Sequence, residues 1–341
     1  MVSPAYRAPL WLPGRHAQSI YPYLFLRPPP VPYRRERVAT PDGDFVDFDW
    51  LQGAGAADDS PVVVLFHGLE GSSRSHYATA LMRAATREGW RGVVPHWRGC
   101  SGEPNHLPRA YHSGDHAEVG WMMGVVRARI GQAPAFAVGV SLGGSALLNW
   151  LGREGGNVRR WLTAAAAVSA PIDLVASGSA IDRGLNRVYA LNFLRTLIPK
   201  ALAKDRRFPG LIDGAALRRA RTLRAFDDLV TAPLHGFRSA EDYWTRGSSR
   251  PHLREIAIPT LALNARNDPF IPGGSLPGPG EVGEAVTLQQ PAHGGHVGFA
   301  DGPFPGRLDW LTRRLLQFFE SVRPRSTKDT APPGMSVQYR P

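Results

Sequence analysis

The stretch Ala135-Phe136-Ala137-Val138-Gly139-Val140-Ser141-Leu142-Gly143-Gly144-Ser145-Ala146-Leu147-Leu148-Asn149-Trp150 decides the fold. Its first four residues read as a buried strand and its last six as a helix. Between them sits a serine with a glycine two positions away on either side. A serine at the tip of such a strand-to-helix turn takes a strained backbone conformation, and the glycines let neighbouring chain pass close by while Oγ projects outward. The pattern makes Ser141 a candidate nucleophile and the amide of Leu142 a candidate donor to an oxyanion.

Outward from this turn, strand and helix alternate. Upstream, Pro61-Val62-Val63-Val64-Leu65-Phe66 is a continuous apolar, β-branched run, as a parallel strand covered on both faces requires. A helix over 76–88 precedes a strand at 92–95, a helix over 115–130 leads into 135–138, and the helix after Ser141 leads to a strand over 162–168. Strand character returns at 258–263 and 285–288, and a last helix over 307–320 carries Leu308, Leu311, Leu315 and Phe318 on one face. The expected fold class is α/β, a mainly parallel sheet flanked by helices. A hairpin should lead into it, with Val46, Phe48 and Trp50 facing inward and Asp47 and Asp49 facing away.

Three segments depart from this rhythm. Residues 1–34 are rich in proline and aromatic residues and are expected to be an extended arm. Residues 171–255 offer amphipathic helical pieces near 185–197, 215–223 and 241–244 without a strand, which reads as an inserted helical cap. The core is then divided into 35–170 and 256–322, and the proline-containing tail 323–341 is expected to be disordered.

Composition narrows the class. The 341 residues are 43% hydrophobic, enough for a large core, and a single cysteine, Cys100, excludes an intrachain disulfide and a CxxC-type metal or redox site. No apolar stretch approaches the roughly 18–20 residues of a membrane span, so a cytoplasmic protein is expected. The net charge is +11, and residues 171–255 hold 15 Lys and Arg against 9 Asp and Glu. Such a surplus suits contact with an anionic membrane surface, whereas no aromatic-basic platform or recognised module points to nucleic acid.

A serine hydroxyl needs a base, and the base needs an acid to orient it; in this fold the chain order is Ser, acid, His. Asp268 follows the 258–263 strand, with Asp173 as the rival acid, and His296 follows the 285–288 strand in His293-Gly294-Gly295-His296-Val297-Gly298-Phe299, with His293 as the rival base. Both lie at the carboxyl edge of a parallel sheet, where ligands bind. His67-Gly68-Leu69-Glu70-Gly71 follows the 61–66 strand and would present the Leu69 N–H as the second oxyanion donor, with His67 structural.

With these residues in place, the chain resembles the α/β-hydrolase superfamily, and within it the AB hydrolase 4 family typified by the bacterial YheT proteins. The similarity lies in Trp11-Leu12-Pro13-Gly14-Arg15-His16-Ala17-Gln18-Ser19-Ile20-Tyr21-Pro22, in residues 66–72, 98–104 and 111–114, in the G-x-S-L-G-G of 139–144, in Asn267-Asp268-Pro269-Phe270, and in the G-G-H-V-G-F of 294–299. The resemblance implies Ser141 as nucleophile, Asp268 as acid and His296 as base, and a carboxylesterase or acyltransferase acting on short- and medium-chain esters and lipids. The expectation is a serine hydrolase of carboxylic esters with a small acyl ester or lipid as substrate and no metal or cofactor. Its alternatives are an acyltransferase to an alcohol and a non-catalytic scaffold on anionic membranes. Asp301, placed four residues beyond Val297 in an H-x₄-D spacing with His296, receives no role, and Cys100 reads as a packing residue.

Overall fold

The computed structural model describes residues 5–53 and 56–323. Helix α1 (Arg15–Phe25) precedes the strands β1 (Tyr33–Ala39), β2 (Phe45–Leu51) and β3 (Val62–Phe66). Then α2 (His76–Arg87), β4 (Arg91–Pro95), α3 (His116–Ile130), β5 (Ala135–Val140), α4 (Leu142–Glu154) and β6 (Ala164–Val168) alternate. The stretch up to β7 (Thr260–Leu263) holds helical elements only: α5 (Leu174–Ile181), α6 (Arg187–Arg207), α7 (Gly214–Arg219), α8 (Leu223–Phe226), α9 (Ala232–Leu234) and α10 (Ala240–Gly247). Strand β8 (Val286–Gln289) and α11 (Asp309–Val322) complete the chain.

The eight strands form one sheet in the order β1-β2-β4-β3-β5-β6-β7-β8. From β4 to β8 every pair is parallel, while β2 runs antiparallel to β1 and β4. The α/β architecture expected from the apolar runs is what forms. Strands β3, β5 and β6 are buried on both faces, with Phe66, Met122, Leu147 and Trp150 in the core on one side and Phe136, Leu81, Trp310 and Phe319 on the other.

The hairpin departs from its pattern. Asp47 and Asp49 are as buried as Val46 and Phe48, because each carboxylate takes two hydrogen bonds from an arginine of β1, Arg37 to Asp47 and Arg35 to Asp49. Asp49 also accepts from Ser73 Oγ at 2.6 Å and lies 2.8 Å from His96 Nε2. Paired and hydrogen-bonded carboxylates can occupy positions that alternation alone assigns to solvent.

The extended-arm expectation for residues 1–34 also needs correction, since α1 occupies eleven of them. Pro22 lies inside this helix and offers no N–H to the carbonyl of Gln18. Gly298 closes against that carbonyl so tightly that a Cβ there would lie 1.8 Å from Gln18 O. The tail beyond residue 323 lies outside the described residues.

Candidate active site

Ser141 sits between β5 and α4 with φ 52° and ψ −119°, a left-handed conformation that costs a non-glycine residue on the order of 1–3 kcal/mol. The turn is held by the Ser141 N–H bonding to Val168 O (2.9 Å) and by backbone packing that only glycine permits. A Cβ on Gly143 would stand 2.3 Å from the Phe66 carbonyl oxygen, and one on Gly139 2.5 Å from the Gly143 carbonyl. The glycines therefore let β3, β5 and the start of α4 meet, and Oγ is left pointing at a loop from the far end of the chain.

That loop carries His296. Its Nε2 lies 2.9 Å from Ser141 Oγ and its Nδ1 2.8 Å from Asp268 Oδ2. A carboxylate only accepts, so Nδ1 carries the proton and Nε2 faces the serine hydroxyl with its lone pair. The other oxygen of the fully buried Asp268 side chain accepts the Phe270 N–H at 2.8 Å, which fixes the carboxylate, and the Phe270 ring lies 4.2 Å from the imidazole. The three residues singled out from chain order are thus adjacent in space. The rivals are elsewhere engaged: Asp173 caps α5 through the Ala176 N–H and pairs with Arg250, and His293 lies on the exposed side of Asn267. Asp301 accepts the Asp309 N–H and pairs with Arg313.

Leu69 and Leu142, the candidate oxyanion donors, both line the cavity beside Ser141. Gly68 N–H donates to Tyr77 Oη and Glu70 N–H to Tyr111 Oη, both at 2.9 Å. Between them, the Leu69 N–H meets no acceptor among the described residues. The Leu142 N–H is the first of α4, where no intrahelical acceptor exists. His67 is buried behind the turn, with Nε2 accepting the Trp97 N–H and Nδ1 donating to Gly68 O; burial and the neighbouring His96 push it down to about 3, so it stays neutral. Glu70 accepts from Tyr111 Oη at 2.9 Å and from Lys200 of α6 at 2.8 Å. Burial pushes the Cys100 thiol up to about 12, consistent with a packing role.

Several contributors were not foreseen from the sequence. The loop around His296 has Val297 and Phe299 at positive φ, a conformation a β-branched residue takes only when its surroundings impose it. Ser169 Oγ accepts the Val297 N–H (3.0 Å), Ser19 Oγ accepts the His296 N–H (2.8 Å), and Gln18 Oε1 accepts both the Gly294 N–H and the Asn267 amide. The inward face of α1 is therefore the seat of the histidine loop. The only trace of this in the sequence was the motif spanning residues 11–22.

Ser141 and His296 open onto a cavity of about 730 Å³, roofed by α5, α6, α8 and α10 and lined mainly by apolar side chains such as Leu174, Ile181, Phe193, Leu197, Val230 and Trp244. Among the described residues no group of three or more His, Cys, Asp or Glu is arranged to hold a metal ion.

A parallel sheet with a serine at the β5–α4 turn and a histidine after the last strand defines a class, and the comparisons agree with it. The chain belongs to the α/β-hydrolase family, whose model, described as the alpha/beta hydrolase fold, matches residues 61–303. It is 42% identical over 302 residues to YheT, a proposed esterase of Escherichia coli (strain K12), covering 88% of each chain. It is 31% identical over 329 residues to the phospholipase ABHD3 of Mus musculus, covering 94% of this chain and 80% of that one. The resemblance to YheT-type proteins drawn from the motifs is thereby borne out. An esterase of Pyrococcus furiosus, Pf2001, shares the fold with a TM-score of 0.52 at 14% identity, over 94% of this chain and 99% of that one.

Proposed function

We propose that the protein is a serine hydrolase that cleaves carboxylic esters with a short or medium acyl chain, through an acyl-enzyme on Ser141. The observation that carries this reading is the imidazole of His296 bridging Ser141 Oγ and Asp268 at 2.9 and 2.8 Å at the mouth of an apolar cavity. The esterase and lipase character of the relatives points the same way.

Ser141 Oγ attacks the ester carbonyl carbon as its proton passes to His296 Nε2, and Asp268 stabilises the imidazolium. The carbonyl oxygen becomes an oxyanion held by the Leu69 and Leu142 amides; a single donor of this kind is worth about 10²–10³ in kcat. His296 then gives its proton to the departing alkoxide. Water, deprotonated by the same nitrogen, attacks the acyl-enzyme, and as that intermediate collapses the His296 imidazolium returns the proton to Ser141 Oγ and the carboxylic acid leaves. In this reading residues 171–255 act as the cap that selects the acyl chain, and the substrate is an acyl ester or lipid. The single thiol of Cys100 fits a reducing compartment such as the cytoplasm.

Intact-mass detection of fluorophosphonate labelling tests the reading. One adduct on the wild type and none on Ser141→Ala is the expected result; no adduct on the folded wild type overturns it.

A further inference from the structure

We propose that the outward faces of α1 and of the first half of α6 form a docking surface for an anionic lipid bilayer. Helix α1 has two unlike sides. Gln18, Ser19, Pro22 and the adjoining Leu26 are buried against the histidine loop and core. Ile20 and Leu24 share the opposite side by their i, i+4 spacing, and Phe25 beside them is 66% exposed, while the half-buried Tyr21 ties this side to the neighbouring loop by donating to Pro305 O. The aromatic surface extends sideways through an unbroken series of ring contacts, Phe25 to Tyr21 at 5.1 Å, Tyr21 to Trp11 at 5.1 Å and Trp11 to the exposed Phe304 at 5.5 Å.

The second helix continues this surface. Leu185, at the turn leading into α6, is 73% exposed, Val188 is 65% exposed, and Leu191 follows at the same three-residue spacing. The two helices meet where His16 Nδ1 lies 3.1 Å from Tyr189 Oη with the rings stacked at 5.9 Å. His16 shares its helix side with Ile20, so the two apolar stripes adjoin. Single exposed apolar side chains are ordinary, but a continuous two-helix surface is not.

Charge selects the occupant. Arg15 and Arg27 flank the α1 stripe, Arg183, Arg187 and Arg195 flank the α6 stripe, and all five are exposed. Residues 5–34 and 183–199 contain no Asp or Glu. A second copy of the chain would set these arginines against one another with no acid to meet them, whereas an apolar face with basic margins matches the interface of an anionic bilayer. No helix among the described residues is long and apolar enough to cross a membrane, and the proposed contact lies on its surface. The site is close by. Tyr189 packs edge-on against Phe270 at 4.7 Å, and Phe270 against His296 at 4.2 Å, so two side chains separate the docking surface from the imidazole.

The proposal concerns binding and stands apart from the ester-cleaving reading. Co-sedimentation with phosphatidylglycerol–phosphatidylcholine vesicles, compared with pure phosphatidylcholine, tests it on the full chain. The variants are Leu24→Asp/Phe25→Asp, Val188→Asp/Leu191→Asp and the charge variant Arg187→Glu/Arg195→Glu, with folding checked by thermal melting and Ser141 labelling scored separately. The expected result is wild-type binding to the anionic vesicles, a drop in bound fraction of about fivefold or more in each variant, and weakening between roughly 0.1 and 0.5 M salt. Wild type left in the supernatant overturns the proposal, as does binding insensitive to all three variants. A dimer that the variants dissociate, without vesicle binding, also overturns it and assigns the face to a second copy.

Discussion

Below Ser141 the cavity is bounded by loops whose positions are set by single hydrogen bonds and by backbone packed against backbone. Above it, α6, α8 and α10 present apolar side chains that rest largely on one another. The floor places Leu69 between two tyrosine hydroxyls and seats His296 on Ser19, each through hydrogen bonds of 2.8–2.9 Å. The roof has a small core of its own, around Leu194, Leu197, Leu217, Phe226 and Val230, joined to the floor by a few polar pins. These are Lys200 on Glu70, Lys204 on Asn105 at 2.6 Å, Asn186 on Pro269 O at 2.6 Å, and the Ser113 N–H on Tyr243 Oη at 2.9 Å. Geometry fixed bond by bond suits chemistry that must not vary. A surface of interchangeable apolar volume suits a substrate choice that can vary between relatives with one mechanism.

The sharpest break between the two regions is at the serine. Ser141→Ala should lower kcat on a soluble acyl ester by on the order of 10⁴ or more, and an undiminished rate in the pure variant would falsify the proposed chemistry. A floor residue that touches no substrate should still affect turnover. Ser19→Ala removes the acceptor of the His296 N–H, and kcat is expected to fall about tenfold with KM little changed, read from steady-state kinetics. If KM alone moved, α1 would belong with the roof. Leu197→Trp reverses the test by filling the cavity from above: kcat/KM for a long acyl ester should drop about fivefold relative to a short one in a chain-length series. Equal losses on both would show that the roof does not select chain length.

The smallest effect expected is on the roof's stability. Asp227, at the π-helical turn after α8, accepts from Thr231 Oγ1 and Trp244 Nε1, and burial pushes its carboxyl up to about 7. The folded protein keeps this proton up to about pH 7, whereas the unfolded chain loses it near the ordinary carboxyl value. Between these two values the folded state binds more protons, so its stability falls as pH rises. Melting temperatures at roughly pH 5 and pH 8 should therefore differ less in Asp227→Asn than in wild type. An unchanged difference would locate the pH sensitivity elsewhere.

The floor was the legible part. A continuous β-branched run ending in a glycine turn can hardly be anything but a buried parallel strand, and the chain order of Ser141, Asp268 and His296 follows from the sheet's winding. What stayed hidden depended on contacts across the whole chain. Proline marks helix ends in local reasoning, so the proline content of residues 1–34 argued for an extended segment, yet Pro22 lies inside α1 and the carbonyl it leaves without an i+4 amide is the one Gly298 closes upon. Alternation placed Asp47 and Asp49 in solvent because no pattern along one strand announces the arginines of the next. The individual helices between β6 and β7 were recognisable by amphipathicity, but which side chains reach the cavity is set by packing between helices that share no periodic signal.

The hydroxyl that seats the His296 amide belongs to a residue placed 277 positions earlier in the chain. At synthesis rates of about 5–20 residues per second, roughly 14 to 55 s separate the appearance of the two. Ser141 is made within that interval, and until His296 follows it the chain holds no residue placed to draw off its proton under the proposed mechanism. Under the proposed mechanism, full reactivity would begin only once Ser19 and His296, distant along the chain, have been brought together.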